Sequence, residues 1–208
     1  MLAQVVLGNS PYEFNAIIKN IPHFGGKHEL LQHAALQANT DGLWCEFGVY
    51  SGASLNVLTT LNSPVYGFDS FEGLPEQWNS DNPKGAFNTN GQPPFIVNEH
   101  MRLVIGWFKD TLPTFIETNS IKTPSLLHLD ADLYSSTKCV LDEFKPHFKD
   151  SCVMVFDEFY NYDGWQNHEY KALYEFLNDM EDRIYNVELI GYAMDVYCPL
   201  AIKIKLKS

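Results

Sequence analysis

The feature that most restricts the fold of this chain is a rhythm that begins at Leu43, where short apolar runs rich in β-formers start to alternate with longer stretches of helical character. Parallel strands need a long crossover between them, usually a helix, so this alternation reads as a series of βαβ units. Strands are expected at residues 43–49, 65–69, 102–106, 126–130, 152–156, 187–192 and 201–206. Several are almost continuously apolar, as strands covered on both faces must be. Helices are expected at residues 53–61, 111–118, 135–147 and 165–183, where Leu173, Phe176, Leu177 and Met180 form one stripe at three- and four-residue spacing. Residues 193–199 are too few for a crossover helix, so the last two strands should pair as an antiparallel hairpin. The expectation is an α/β fold with seven strands in one open, mostly parallel sheet.

Two regions depart from the rhythm. Residues 1–41 hold expected helices at 11–20 and 27–39 that would cover the ligand-binding end or an open sheet face. Residues 75–99 are rich in Asn, Gly and Pro and too long for an ordinary connection, so they read as a substrate lid. With 208 residues, 45% of them hydrophobic, the chain can fill one core and is read as a single domain over 1–208. Asp and Glu outnumber Lys and Arg by 26 to 14, and the net charge of −12 repels a phosphate backbone, which argues against nucleic acid. No run is long enough to span a bilayer, and Cys45, Cys139, Cys152 and Cys198 form no paired spacing. A cytoplasmic protein without membrane contact is expected, and its exposed apolar content points to a homo-oligomer of unspecified size.

The segment Glu46-Phe47-Gly48-Val49-Tyr50-Ser51-Gly52 leads from a strand through two glycines into a helix. Glycine lets the backbone approach a ligand, and a helix start offers free N–H groups, so this is a nucleotide or nucleoside cradle. Tyr50 and Ala53 break the dinucleotide fingerprint, which weakens the case for a pyrophosphate. Asp69 ends the next strand about 20 residues on, where a carboxylate can accept from ribose hydroxyls. Glu46 would attract a cationic ligand and repel a pyrophosphate, so the pattern favours a sulfonium amino acid over a nicotinamide cofactor.

A second constellation lies further along. Asp130 ends the fourth strand, and Asp157 with Glu158 ends the fifth. Adjacent strands would gather these acids at the C-terminal edge of the sheet, where open α/β sheets bind ligands. Together they call for a cation: Mg²⁺ suits such hard oxygens, with Ca²⁺ or Mn²⁺ as competitors. The alternative is that Asp157 or Glu158 caps the segment that follows. Candidate bases for a bound hydroxyl are His168 and Asp132, whereas His128 is a poorer one because it sits inside a strand. Tyr134, Tyr160, Tyr162 and Trp165 cluster in sequence around these acids and could stack on an acceptor.

Glu46–Gly52 resembles the first motif of class I S-adenosylmethionine-dependent methyltransferases. The stretch Gly67-Phe68-Asp69-Ser70-Phe71-Glu72-Gly73-Leu74-Pro75 resembles that of the macrocin O-methyltransferase family. So do Gly106-Trp107-Phe108-Lys109-Asp110-Thr111-Leu112-Pro113 and Leu129-Asp130-Ala131-Asp132-Leu133-Tyr134-Ser135-Ser136-Thr137, in the expected order, and the likeness covers roughly residues 42–171. It implies a Rossmann-like seven-stranded sheet, with S-adenosyl-L-methionine across Glu46, Gly48, Gly52, Asp69 and Ser70. Trp107 and Phe108 would lie near the adenine, and Asp130 would serve the cofactor and the metal site alike. The implied activity is O-methylation of a small-molecule hydroxyl, with a natural-product sugar as the acceptor the resemblance suggests. Two departures stand out: Glu158 replaces the more usual Asp or Asn, and Leu133 occupies the position of the lysine of catechol-type enzymes. The competing readings are a nucleoside-binding or scaffold protein of the same fold and a nicotinamide-dependent oxidoreductase.

Overall fold

A computed structural model describes residues 1–95 and 97–207. Helices α1 (Leu2–Leu7) and α2 (Pro11–Ile18) precede a two-residue strand β1 (His23–Phe24) and helix α3 (Lys27–Ala35). The alternation then runs β2 (Leu43–Phe47), α4 (Ala53–Thr59), β3 (Val65–Asp69), β4 (Met101–Ile105), α5 (Phe108–Thr118), β5 (Pro124–Leu129), α6 (Tyr134–Phe144), β6 (Ser151–Phe156) and α7 (Glu169–Asp179). β7 (Ile184–Ala193) and β8 (Leu200–Leu206) close it. The expected antiparallel hairpin is β7–β8, and β8 also pairs antiparallel with β6. The remaining neighbours are parallel.

The sheet has eight strands, in the order β1-β7-β8-β6-β5-β2-β3-β4, and not the expected seven. The extra member is β1, whose two residues are too few to carry a periodic signal yet pair with Tyr192 and Ala193. Strand order reverses between β5 and β2, so the switch point where such sheets bind ligands lies at their C-terminal ends.

Alternation along the central strands decides what each face buries. Cys45, Phe47, Leu127, Leu129, Met154 and Phe156 share one core cluster with the helices α5, α6 and α7. Trp44, Leu126, Val153 and Val155 point the other way, into a second cluster with Leu30, Leu31, Leu55 and Leu58 of α3 and α4. The first two helices do not cover the ligand end. Phe14 of α2 is fully buried, with its ring 5.5 to 5.8 Å from those of Phe159, Tyr160, Trp165 and Tyr170, so this segment completes the core beside α7. α1 adds Ala3 and Leu7 to the same cluster, and the Ala3 N–H donates to Asn178 at 3.2 Å.

Residues 75–99, apart from Ile96, which lies outside the described residues, contain no regular element. They are nevertheless tied down: Leu74 and Ala86 bond through their backbones at 2.9 Å, Trp78 N–H donates to Asn82, and Ser135 Oγ donates to Glu76 at 2.6 Å. Among the described residues no helix is long and apolar enough to cross a membrane, and the four cysteines are free thiols.

Candidate active site

A cleft of about 890 Å³ opens over the switch point. One wall is the turn after β2, which needs left-handed backbone at Gly48 (φ 90°), Tyr50 (φ 42°) and Gly52 (φ 74°). Gly48 is required by proximity as well as by conformation, because a Cβ there would overlap the carbonyl oxygen of Asp130. The turn is therefore laid directly on the end of β5. Asp69 holds it in place: Oδ2 accepts the N–H groups of Val49 and Tyr50 at 2.9 Å each, and Oδ1 accepts that of Phe71 at 2.8 Å. A carboxylate has about four lone-pair sites, so Asp69 retains capacity for a ribose hydroxyl.

Asp69, Ser70, Trp107, Phe108, Asp130, Asp132 and Glu158 all line the cleft with Gly48, as the sequence led one to expect. Ser70 is buried and its Oγ accepts the Glu72 N–H at 3.1 Å, while Phe108 packs edge-on against Phe47 at 5.6 Å. Gly52 caps α4 from behind the wall, where a Cβ would press on the Phe95 ring.

Glu46 does not reach the cleft. Strand alternation turns it toward the α3/α4 face, where it is fully buried and its Oε2 bonds to His128 Nδ1 at 2.8 Å. His168 also stands apart from the cleft: it precedes α7, with its ring 6.5 Å from that of Trp78 and 6.2 Å from that of Tyr162. Burial lowers its pKa, and Nδ1 finds no partner among the described residues. The expected aromatic platform is likewise not part of the cleft lining. Tyr134 bonds Glu175, Tyr160 and Trp165 pack on Phe14, and only Tyr162 approaches, through its edge contact with Trp78.

Beneath the cleft lies a concentration of acids. Atoms of His128, Asp130 and Asp157 that could each ligate an ion fall within 4.8 Å of one another. Asp157 lies between two cations, with Oδ2 2.6 Å from Lys27 Nζ and Oδ1 3.7 Å from His128 Nε2. Glu158 is buried, its Oε2 has no partner among the described residues, and its N–H donates to the buried Glu169 at 3.1 Å. Sequence reasoning missed Lys27 and Glu169, and weighed His128 only as a poorer base inside a strand.

These surroundings shift every group. Burial alone would lower the His128 pKa, but the Asp157 carboxylate beside it and the bond to Glu46 push it up to about 10. Burial would raise Asp157, yet the His128 imidazolium 3.7 Å away and the bonded Lys27 ammonium hold its carboxyl below the ordinary range. Asp130 is raised by burial and by the Asp157 charge, and the same two causes push Asp132 up to about 7. Burial and then neighbouring acids raise Glu158 and Glu169. Asp132 is held at φ 60°, a left-handed conformation that aspartate enters more readily than most L residues.

The family model for Macrocin-O-methyltransferase (TylF) matches residues 29–192. Mycinamicin III 3''-O-methyltransferase of Micromonospora griseorubida is 25% identical over 158 residues, which is 62% of this chain and 61% of that protein. Demethyldecarbamoylnovobiocin O-methyltransferase of Streptomyces niveus is 27% identical over 145 residues, 58% of this chain and 54% of that one. The chain thus spans a little over half the length of these relatives. Among solved structures, the calicheamicin methyltransferase CalS11 superposes with a TM-score of 0.64 at 23% identity, covering 96% of this chain and 89% of its own. The O-methyltransferase NovP gives 0.56 at 19%, covering 87% and 79%. These likenesses establish the fold.

Proposed function

This chain belongs to the macrocin O-methyltransferase family, and we propose that it transfers a methyl group from S-adenosylmethionine to a hydroxyl of a small glycosylated molecule, with a divalent cation at the acceptor side. One observation carries the reading: a glycine turn held by Asp69 and a cluster of carboxylates face each other across a single cleft. One relative, 8-demethyl-8-(2,3-dimethoxy-alpha-L-rhamnosyl)-tetracenomycin-C 4'-O-methyltransferase of Streptomyces olivaceus, is named for a rhamnosyl compound, which supports a sugar hydroxyl as acceptor.

Bound S-adenosylmethionine would supply a methyl group activated on a sulfonium, and a divalent ion the Lewis acidity that lowers the pKa of the hydroxyl. The residues of the chain do the rest. Gly48 lets the turn lie close to Asp130, Asp69 fixes its amides and offers its spare lone pairs to the ribose, and Trp107 and Phe108 flank the adenine. Ser70 lines the same cleft, and Gly52 starts α4 behind its wall. Asp130, Asp157 and Glu158 would hold the ion, and they fit it: all three donors are hard oxygens, and Glu158 Oε2 is buried without a partner among the described residues. Asp132 lines the cleft two residues from Asp130 and is the group we assign to accept the hydroxyl proton. His168, set back behind Trp78, is the weaker candidate.

Titration calorimetry with S-adenosylhomocysteine, with and without Mg²⁺, tests the reading. Saturable binding by the wild type that Asp69→Ala loses supports it. No binding under either condition would return the fold to a scaffold or nicotinamide role.

A further inference from the structure

Lys27 is in the wrong place for the helix it begins. It is the first residue of α3, where the dipole favours acids, and the first-turn acid Glu29 instead bonds back to the Gly25 N–H at 3.0 Å. The Lys27 ammonium crosses 130 positions of sequence to lie 2.6 Å from Asp157 Oδ2. A local rule broken at the mouth of a cleft marks a side chain placed for the site rather than for its helix.

One Asp157 oxygen already holds a cation in this arrangement. Oδ2 is taken by Lys27, and Oδ1 faces His128. The lysine borders two spaces: the main cleft and a pocket of about 70 Å³ lined also by Asp157, Glu158, Asp195 and Tyr197. Its side chain is 41% exposed, and the residues before it are Gly25 and Gly26, the latter extended and forming no side-chain cap. The ammonium can therefore swing off Asp157 without uncovering core.

We propose that Lys27 is a built-in cation that exchanges with a divalent ion for Asp157. It neutralises the acid while the ion is away and must leave when the ion binds. This inference rests on the metal reading above and makes Lys27 a positioning residue that sets the affinity for the ion. Because both cations would draw on the Asp157 carboxylate, each would weaken the other's hold, and linkage requires that effect to be mutual.

The mutual effect gives two tests. In the first, Mn²⁺ binding is measured by electron paramagnetic resonance at fixed ionic strength. Lys27→Met should bind about tenfold tighter than wild type, within the usual range of coupling between sites, while Lys27→Arg, which keeps the charge, should stay near wild type. In the second, wild-type protein is treated with an amine-acylating reagent, and labelling of Lys27 is read by mass spectrometry. Labelling should rise when Mn²⁺ is added. Measurable Mn²⁺ binding with equal affinity in wild type and Lys27→Met, or unchanged labelling at saturating Mn²⁺, overturns the exchange and leaves the metal reading standing. If no protein binds Mn²⁺, both fall.

Discussion

Replacing Gly48 with alanine tests how the cofactor side is built. The residue sits at φ 90°, which costs an L side chain about 1–2 kcal/mol. The new Cβ would also overlap the Asp130 carbonyl oxygen, so the turn and the end of β5 must part, and forced packing of this kind costs about 1–3 kcal/mol more. Gly164 separates the two effects. It has nearly the same backbone, φ 79°, but nothing within 4 Å of an added Cβ. Gly164→Ala should therefore lose only the conformational part, about 1–2 kcal/mol, and Gly48→Ala about 2–5 kcal/mol, the sum of both. Urea denaturation measures the two losses. Calorimetry with S-adenosylhomocysteine should show affinity reduced by about tenfold or more in Gly48→Ala only, since about 1.4 kcal/mol of misplacement suffices. If Gly48→Ala is no less stable than Gly164→Ala and binds like wild type, the close approach to Asp130 is not what the glycine provides.

Two further outcomes follow from the polar interior. Glu46→Leu leaves the His128 imidazolium buried without its 2.8 Å partner and should cost about 3–5 kcal/mol in urea denaturation, whereas adding His128→Leu should recover much of that loss; a double variant as unstable as the single would refute a charge pair there. Asp132→Asn should lower kcat by about 10²–10⁴-fold, assayed with labelled S-adenosylmethionine on whichever rhamnoside of a small panel the wild type methylates. Its affinity for S-adenosylhomocysteine should stay at the wild-type level, and a loss confined to that affinity would remove Asp132 from the proton transfer.

Much of this architecture is legible in the sequence because parallel strands buried on both faces leave long apolar runs. β2 and β5 are buried along their whole length, and both were visible as such runs. β1 was not, since two residues have no period, and α1 is a single short turn-and-a-half that earns its place only by packing on α7. At the site, residues fixed by backbone position were readable: Gly48, Asp69, Asp130 and Glu158 follow directly from where strands end. Contacts made across the sheet were not. Glu46 faces His128 only because β2 and β5 pair in that register, and Lys27 reaches Asp157 only because α3 packs across β6. Exposure of an acid in a sequence pattern says nothing of the face to which alternation will turn it, which is why Glu46 read as a ligand contact and His128 as a bystander.

The same alternation explains why the misread residues still bear on function. Glu46, His128 and Asp157 lie on one face of three neighbouring strands, so the strand that opens the cofactor turn and the strand that ends in the acid pair are tied by one buried imidazole. Around it stand six carboxylates, Glu46, Asp130, Asp132, Asp157, Glu158 and Glu169, against two cations, Lys27 and His128, a deficit of four charges if all are ionised. A buried surplus of that size is tolerated only if protons or ligands offset it. On the proposed reading, the cofactor contributes a net single positive charge and the divalent ion two, while Lys27 withdraws as the ion binds, which leaves two carboxylates uncompensated. That vacancy is what a proton acceptor requires, and Asp132 is the member of the set that lines the cleft outside the assigned ion ligands. Filling the site with its ligands thus leaves room for the proton the acceptor hydroxyl gives up.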